Sequence, residues 1–208
     1  MTRKLIIVHI KDICRFSPYK SPFSENSFDG RISKSHIRID AFLLLSSAGG
    51  GPGTGPRVVF CEMRYDYLDL DFTFRTIYGE ARGEGEIGKV AVGFVICNRA
   101  KIAKEYVHIH GGSHPLYGSG TPASACTVLY QFSCWNLNDP NLPIIQKLDP
   151  DSPAGLPCVD AAITALQERI PDPTNGATHY HTPDVFPDWA EGQTPCAAIG
   201  RHIFYNLG

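Results

Sequence analysis

A chain of 208 residues, 43% hydrophobic, with a formal net charge of -2, suffices for one ordinary domain with a real core but not for two large ones. Its longest apolar stretches, RKLIIVHI and AFLLLSS, fall well below the roughly 20 residues of a bilayer-spanning helix, so stable membrane insertion is excluded on that pattern. Residues 1–64 carry ten Lys/Arg against five Asp/Glu and residues 65–208 nine against sixteen; the acidic remainder argues against nucleic acid as a partner, since phosphate binding needs clustered cations.

RKLIIVHI begins like an export signal, basic and then apolar, but its apolar part is too short and no small-x-small cleavage site follows; no conventional signal is read there. The first 64 residues lack sustained periodicity, and SSAGGGPGTGP has a linker's composition. Residues 1–64 are therefore expected to be a basic, poorly structured extension or linker, with Met63 as the functional start and residues 65–208 as the working domain. Seven cysteines, without CxxC or zinc-finger spacing, read as small buried residues.

From Tyr67 the pattern sharpens. Leu68, Phe72, Phe74 and Ile77–Tyr78 predict a helix ending at or soon after Gly79. Ile87, Val90, Ala91, Phe94 and Val95 follow at helical spacing and predict a second helix over about residues 87–100. Pro122 opens a short helix in PASACTVLYQ. A further helix is predicted in LPCVDAAITALQERIPDP, with Val159, Ile163, Leu166 and Ile170 on one face and Pro171 as its stop. NGATHYHTPDV and IGRHIFYNL read as short strands, the first opened by the Asn175-Gly176 turn signal. The expected fold class is α+β, mostly helical, with a small sheet near the C-terminus.

Three stretches carry chemistry. In GEARGEGE, Glu80 stands where the first helix meets the second, a place where desolvation can keep a carboxyl protonated as a general acid. Glu84 and Glu86 suit the positive start of the second helix and are read as solvated charge. In YQFSCWN, the rings of Tyr130, Phe132 and Trp135 alternate with Gln131, Ser133 and Asn136, a mixture that lines sugar or peptide grooves or fills a core. Cys134 in the same stretch admits a thiol nucleophile if a histidine lies near it. In THYHTPDV, His179 and His181 are assigned to opposite sides of a strand, so no shared metal ion is expected. His202 is read as a satisfied structural histidine.

In order, IYGEARGE, GKVAVGFVICNR, QFSCWN, ATHYHTPDV with PDWA, and IGRHIFY resemble the cell wall hydrolase family of the spore cortex-lytic enzyme, a domain that phages also use in lysis enzymes. The likeness spans about residues 67–208; the segment EYVHIHGGSHPLYGSGTPASA (105–125) is the least familiar part. The resemblance implies a lysozyme-like, goose-type transglycosylase fold acting on peptidoglycan. The chain is expected to work as a monomer and without metal or cofactor. The resemblance also implies action on the outer, cell-wall side of a bacterium, with a phage-encoded origin compatible, and makes Glu80 the catalytic acid. Gln131, Phe132, Trp135, Asn136, Tyr180 and His181 would line the sugar groove. Glu80 would protonate the oxygen between N-acetylmuramic acid and N-acetylglucosamine, then activate either the muramyl 6-hydroxyl or a water. No partner acid stands out, since Asp139, Asp184 and Asp188 look like turn residues, which favours the transglycosylase route. Two other readings stay open: an amidase or peptidase with Cys134 as nucleophile and His179, His181 or His202 as base, and a non-catalytic wall-binding module.

Overall fold

The computed structural model describes residues 65–208. The expectations for residues 1–64, including the linker, Met63, Cys14 and Cys61, lie outside the described residues. Five helices and a three-stranded sheet follow in order: α1 (Tyr67–Ala81), α2 (Glu86–His110), α3 (Pro122–Thr127), α4 (Leu142–Gln146), α5 (Leu156–Leu166), β1 (His179–His181), β2 (Ala197–Ile199) and β3 (His202–Tyr205). None of the described helices is long and apolar enough to cross a membrane.

Helix α1 starts on a reciprocal cap: Asp69 N–H donates to Asp66 Oδ1 at 2.9 Å and Asp66 N–H to Asp69 Oδ2 at 3.2 Å. The other oxygen of Asp69 accepts from Ala123 N–H at 3.0 Å, which fixes α3 beside the start of α1. α3 carries its own reciprocal cap, built from Thr121 and Ser124. α2 runs ten residues past its predicted end, to Gly111, whose φ of 73° turns the chain and whose N–H closes on Val107 O at 2.8 Å. α5 is shorter than predicted. It ends at Leu166; Glu168 takes a φ of 52°, and Ile170 stands partly exposed instead of joining the apolar face. Helix α4 and strand β2 were not predicted.

The hydrophobic core forms where α1, α2 and α5 meet, around Phe74, Ile77, Val92, Phe94 and Ile96. Gly93 permits the approach of α2 to α5, since a Cβ there would lie 2.8 Å from the Ala165 Cβ. The sheet is antiparallel in the order β1-β3-β2, with Tyr180 opposite Phe204 and Ile199 opposite His202. Phe204 and Ala177 pack on Ala91 and Val95, so the sheet sits against α2. The Asn175-Gly176 turn has the positive φ values, 55° and 80°, that this dipeptide favours.

Gly93→Val is expected to lower stability by roughly 1–3 kcal/mol through overpacking against Ala165 and Ile77. Denaturant unfolding followed by circular dichroism measures it, and an unchanged midpoint would contradict the packing described.

Candidate active site

Glu80 is the penultimate residue of α1, one residue after a glycine that fixes what can lie beside it. A Cβ on Gly79 would come within 2.7 Å of the Cys134 Sγ, so only glycine lets the Ser133–Trp135 turn close on the end of this helix. That turn brings Cys134 N–H to 3.5 Å from Glu80 Oε1. From the other side, strand β1 brings the Tyr180 hydroxyl, which donates to Glu80 Oε2 at 3.1 Å. Burial raises the Glu80 pKa above its ordinary value; the bonds from Tyr180 and Cys134 and the charge of Arg99 oppose the rise without cancelling it. The result is a carboxyl biased toward its protonated form and held by two donors.

Arg99 joins the two flanks of this acid. It lies on the apolar face of α2, four residues after Val95, and is 4% exposed. Its Nε donates to Thr178 O at 2.7 Å, just ahead of β1, and its Nη1 to Gln131 O at 3.3 Å. The guanidinium stands 4.6 Å from the centre of the Phe132 ring and 5.6 Å from that of Tyr117. Sequence reasoning passed over Arg99, although an arginine in the stripe FVICNRA is a usable signal, because a buried cation needs internal acceptors.

The residues expected in a groove divide into two groups. Tyr180, Gln131 and Trp135 belong to the segments that meet at Glu80. Trp135 is half-buried, with its indole N–H on Thr76 Oγ1 at 2.8 Å and its ring 5.0 Å from Phe72. Asn136 serves the loop itself, its Oδ1 accepting from Tyr130 N–H at 3.4 Å. Phe132 is 2% exposed beneath Arg99, and His181 is 8% exposed. His181 Nε2 meets the Tyr205 hydroxyl at 3.1 Å and its Nδ1 the Thr182 carbonyl at 2.9 Å. Both are internal packing residues in this structure, not open groove surface.

The assignment of His179 and His181 to opposite sides of the strand was wrong. A strand repeats every two residues, so both imidazoles share one face, and both rings stand against Trp189, at 5.0 and 5.8 Å. Tyr180 takes the other face, toward Glu80 and His202. Burial pushes His179 down to about 4, so its imidazole is neutral at physiological pH. His202 is buried, and its Nδ1 has no hydrogen-bond partner among the described residues, which corrects the reading of a satisfied histidine. Among the described residues, no group of three or more His, Cys, Asp or Glu is placed to hold a metal ion.

Glu84 and Glu86 also part company. Glu86 is exposed, as a solvated helix-start charge is. Glu84 instead accepts from Arg201 N–H at 3.1 Å and lies over Gly200, where any Cβ would collide with its carboxylate. Its backbone carbonyl accepts from Lys89 Nζ. Glu84 therefore clamps the β2–β3 turn to the junction that carries Glu80. The Cys134 thiol is buried beside the Glu80 carboxylate, and both facts push its pKa upward, away from a thiolate.

The family model described as Cell Wall Hydrolase matches residues 83–205. The chain belongs to the cell wall hydrolase family. The matched span holds Arg99, the 131–136 loop and the sheet, and begins three residues after Glu80. The chain is 29% identical over 144 residues to a spore cortex-lytic enzyme of Halalkalibacterium halodurans, covering 68% of this chain and 36% of that protein. It is 28% identical over 168 residues to a spore cortex-lytic enzyme of Oceanobacillus iheyensis, covering 76% of this chain and 51% of that one. The chain thus spans about half the length, or less, of these curated relatives. Among solved structures, the catalytic domain of the Bacillus cereus SleB protein aligns with a TM-score of 0.51 at 25% identity, covering 68% of this chain and 92% of that one. The catalytic domain of the germination-specific lytic transglycosylase SleB of Bacillus anthracis aligns with the same TM-score and identity, over 97% of its length. The lysozyme-like, mostly helical fold class expected from the sequence agrees with these neighbours.

For this cell wall hydrolase, Arg99→Lys is expected to cost roughly 1–3 kcal/mol of stability, because an ammonium cannot span the Thr178 and Gln131 carbonyls and would leave a buried acceptor unmet. Chemical denaturation tests this, and a loss below about 0.5 kcal/mol would contradict the bridging role.

Proposed function

We propose that this domain cleaves peptidoglycan glycan strands between N-acetylmuramic acid and N-acetylglucosamine, with Glu80 as the proton donor. The observation that carries the reading is the Glu80 carboxyl itself: at a helix end, desolvated, with a raised pKa, and oriented by Tyr180 and Cys134 N–H. The proton passes from Glu80 to the glycosidic oxygen as the C1–O bond breaks and an oxocarbenium-like centre develops. The resulting carboxylate is received by a Tyr180 hydroxyl already in place and by the Arg99 charge behind it. It then takes a proton from the attacking hydroxyl. No second carboxylate faces Glu80 among its hydrogen-bond partners; Glu84 is occupied by Arg201 N–H and Asp184 by the Arg201 guanidinium at 2.6 Å. That arrangement favours attack by the muramyl 6-hydroxyl, giving a 1,6-anhydro end, over a two-carboxylate hydrolysis.

The cysteine amidase reading loses support from the geometry of Cys134, whose buried thiol contacts the Glu80 carboxylate instead of a histidine. The substrate places the site of action outside the bacterial cytoplasmic membrane. Residues 1–64 lie outside the machinery so assigned, and a chain beginning at Met63 is expected to retain most activity. The mechanism uses no metal, so dialysis against a chelator is expected to leave the rate nearly unchanged.

Glu80→Gln preserves shape but carries no acid proton. Its turnover on purified peptidoglycan is expected to fall by about 10²-fold or more with the circular dichroism spectrum intact. Mass spectrometry of wild-type digests is expected to show anhydro-muropeptides; near wild-type turnover by the Gln variant would overturn the assignment. The pH dependence follows from the same group. With a folded pKa above the unfolded one, Glu80 adds stability below the ordinary carboxylate value, and that stability is lost as pH rises through the raised value. At neutral pH, Glu80→Gln is therefore expected to melt at the same temperature as wild type or higher. A clearly lower melting temperature would contradict the sign.

A further inference from the structure

The loop between α3 and the Ser133–Trp135 turn leaves three apolar side chains exposed: Leu129 at 70%, Tyr130 at 83% and Leu137 at 90%. An exposed leucine is ordinary. Tyr130 is not, because of its backbone. Gln131 N–H donates to Val128 O at 3.2 Å and closes a four-residue turn whose third residue, Tyr130, has a φ of 65°. That position takes glycine or asparagine readily, whereas a bulky side chain crowds its own backbone there. The ring gains no burial in exchange, so packing does not account for a tyrosine at this place.

Three anchors hold the strained residue. Tyr130 N–H donates to Asn136 Oδ1 at 3.4 Å. The next carbonyl, that of Gln131, accepts from the buried Arg99 at 3.3 Å. Three residues further on, Cys134 N–H faces Glu80 at 3.5 Å. The loop that forces Tyr130 outward is therefore the loop whose backbone orients the acid. Strain kept beside a reactive group, with a flat ring presented to solvent, is an arrangement suited to ligand contact.

We propose that Tyr130 is a stacking platform for a sugar ring of the glycan strand, a binding residue that fixes the strand relative to Glu80. The pyranose would lay its apolar C–H face on the phenol ring. This proposal rests on the glycan-cleavage reading and adds a subsite to it.

The test uses the full chain and purified insoluble peptidoglycan. In the Glu80→Gln background, adding Tyr130→Ala is expected to weaken the Kd in a pull-down about fivefold, and Tyr130→Trp to keep it within about twofold. In the active enzyme, Tyr130→Ala is expected to raise KM by a similar factor, with the loss falling in KM and not in kcat. Tyr130→Gly removes the crowding at positive φ, so it is expected to unfold at the wild-type temperature or above while binding as poorly as the Ala variant. An unchanged Kd for Tyr130→Ala overturns the platform. So does a loss confined to kcat, which would mean that the ring only shapes the Glu80 loop. If Glu80→Gln still cleaves glycan, the function reading fails instead; an inert Glu80→Gln enzyme that binds equally well with and without Tyr130 sinks the platform alone.

Discussion

A guanidinium with almost no access to water sits in the middle of this domain, and the site is organised by what that cation requires. Arg99 cannot shed its charge as a buried lysine can, so its N–H groups must find acceptors. It finds them on two backbone segments that are distant in sequence, at Thr178 and at Gln131. One leads into β1 and delivers Tyr180; the other leads into the 132–135 turn and delivers Cys134 N–H. A single desolvated cation thus sets both walls around Glu80. Phe132 and Tyr117 cover it and keep water out.

The electrostatics of Glu80 are a balance between opposed terms. Desolvation favours the neutral acid, while Arg99, Tyr180 and Cys134 N–H favour the carboxylate. The proposed role, in which Glu80 gives a proton and then takes one back, is well served by such a balance. The three thiols closest to this region, Cys97, Cys126 and Cys134, do not compete for that role. Burial pushes Cys97 and Cys126 up to about 12 and raises Cys134 as well, so all three stay protonated and act as packing.

Much of the scaffold could be read from the chain because strong local signals coincide with its tertiary roles. The apolar stripe of α2, Pro122 at the start of α3, the Asn175-Gly176 turn and the glycine-broken junction at Glu80 were all legible. The misses have physical causes. The last ten residues of α2 form a polar surface helix with a weak stripe, and only Gly111 ends it. Pro171 suggested a late stop for α5, but Glu168 leaves helical geometry first. Strand β2, Ala197–Ile199, has no polar alternation to announce it. At the site, composition could not separate Phe132, which is buried, from Tyr130, which is exposed in the same aromatic motif, nor show that His181 of the second motif is buried. Glu84 looked like helix-start charge because its partner, Arg201 N–H, lies 117 positions away in sequence.

The proposed role requires Glu80 to be held as an acid by its surroundings, and its protonation can be observed directly. A carboxyl-carbon NMR titration of the protein, with Glu80→Gln used to assign the resonance, would report the pKa of this one group. A midpoint above the ordinary glutamate value of about 4.3, moving higher still in Tyr180→Phe as a donor to the carboxylate is lost, is the result expected. A midpoint at or below the ordinary value, or one indifferent to Tyr180, would contradict the account.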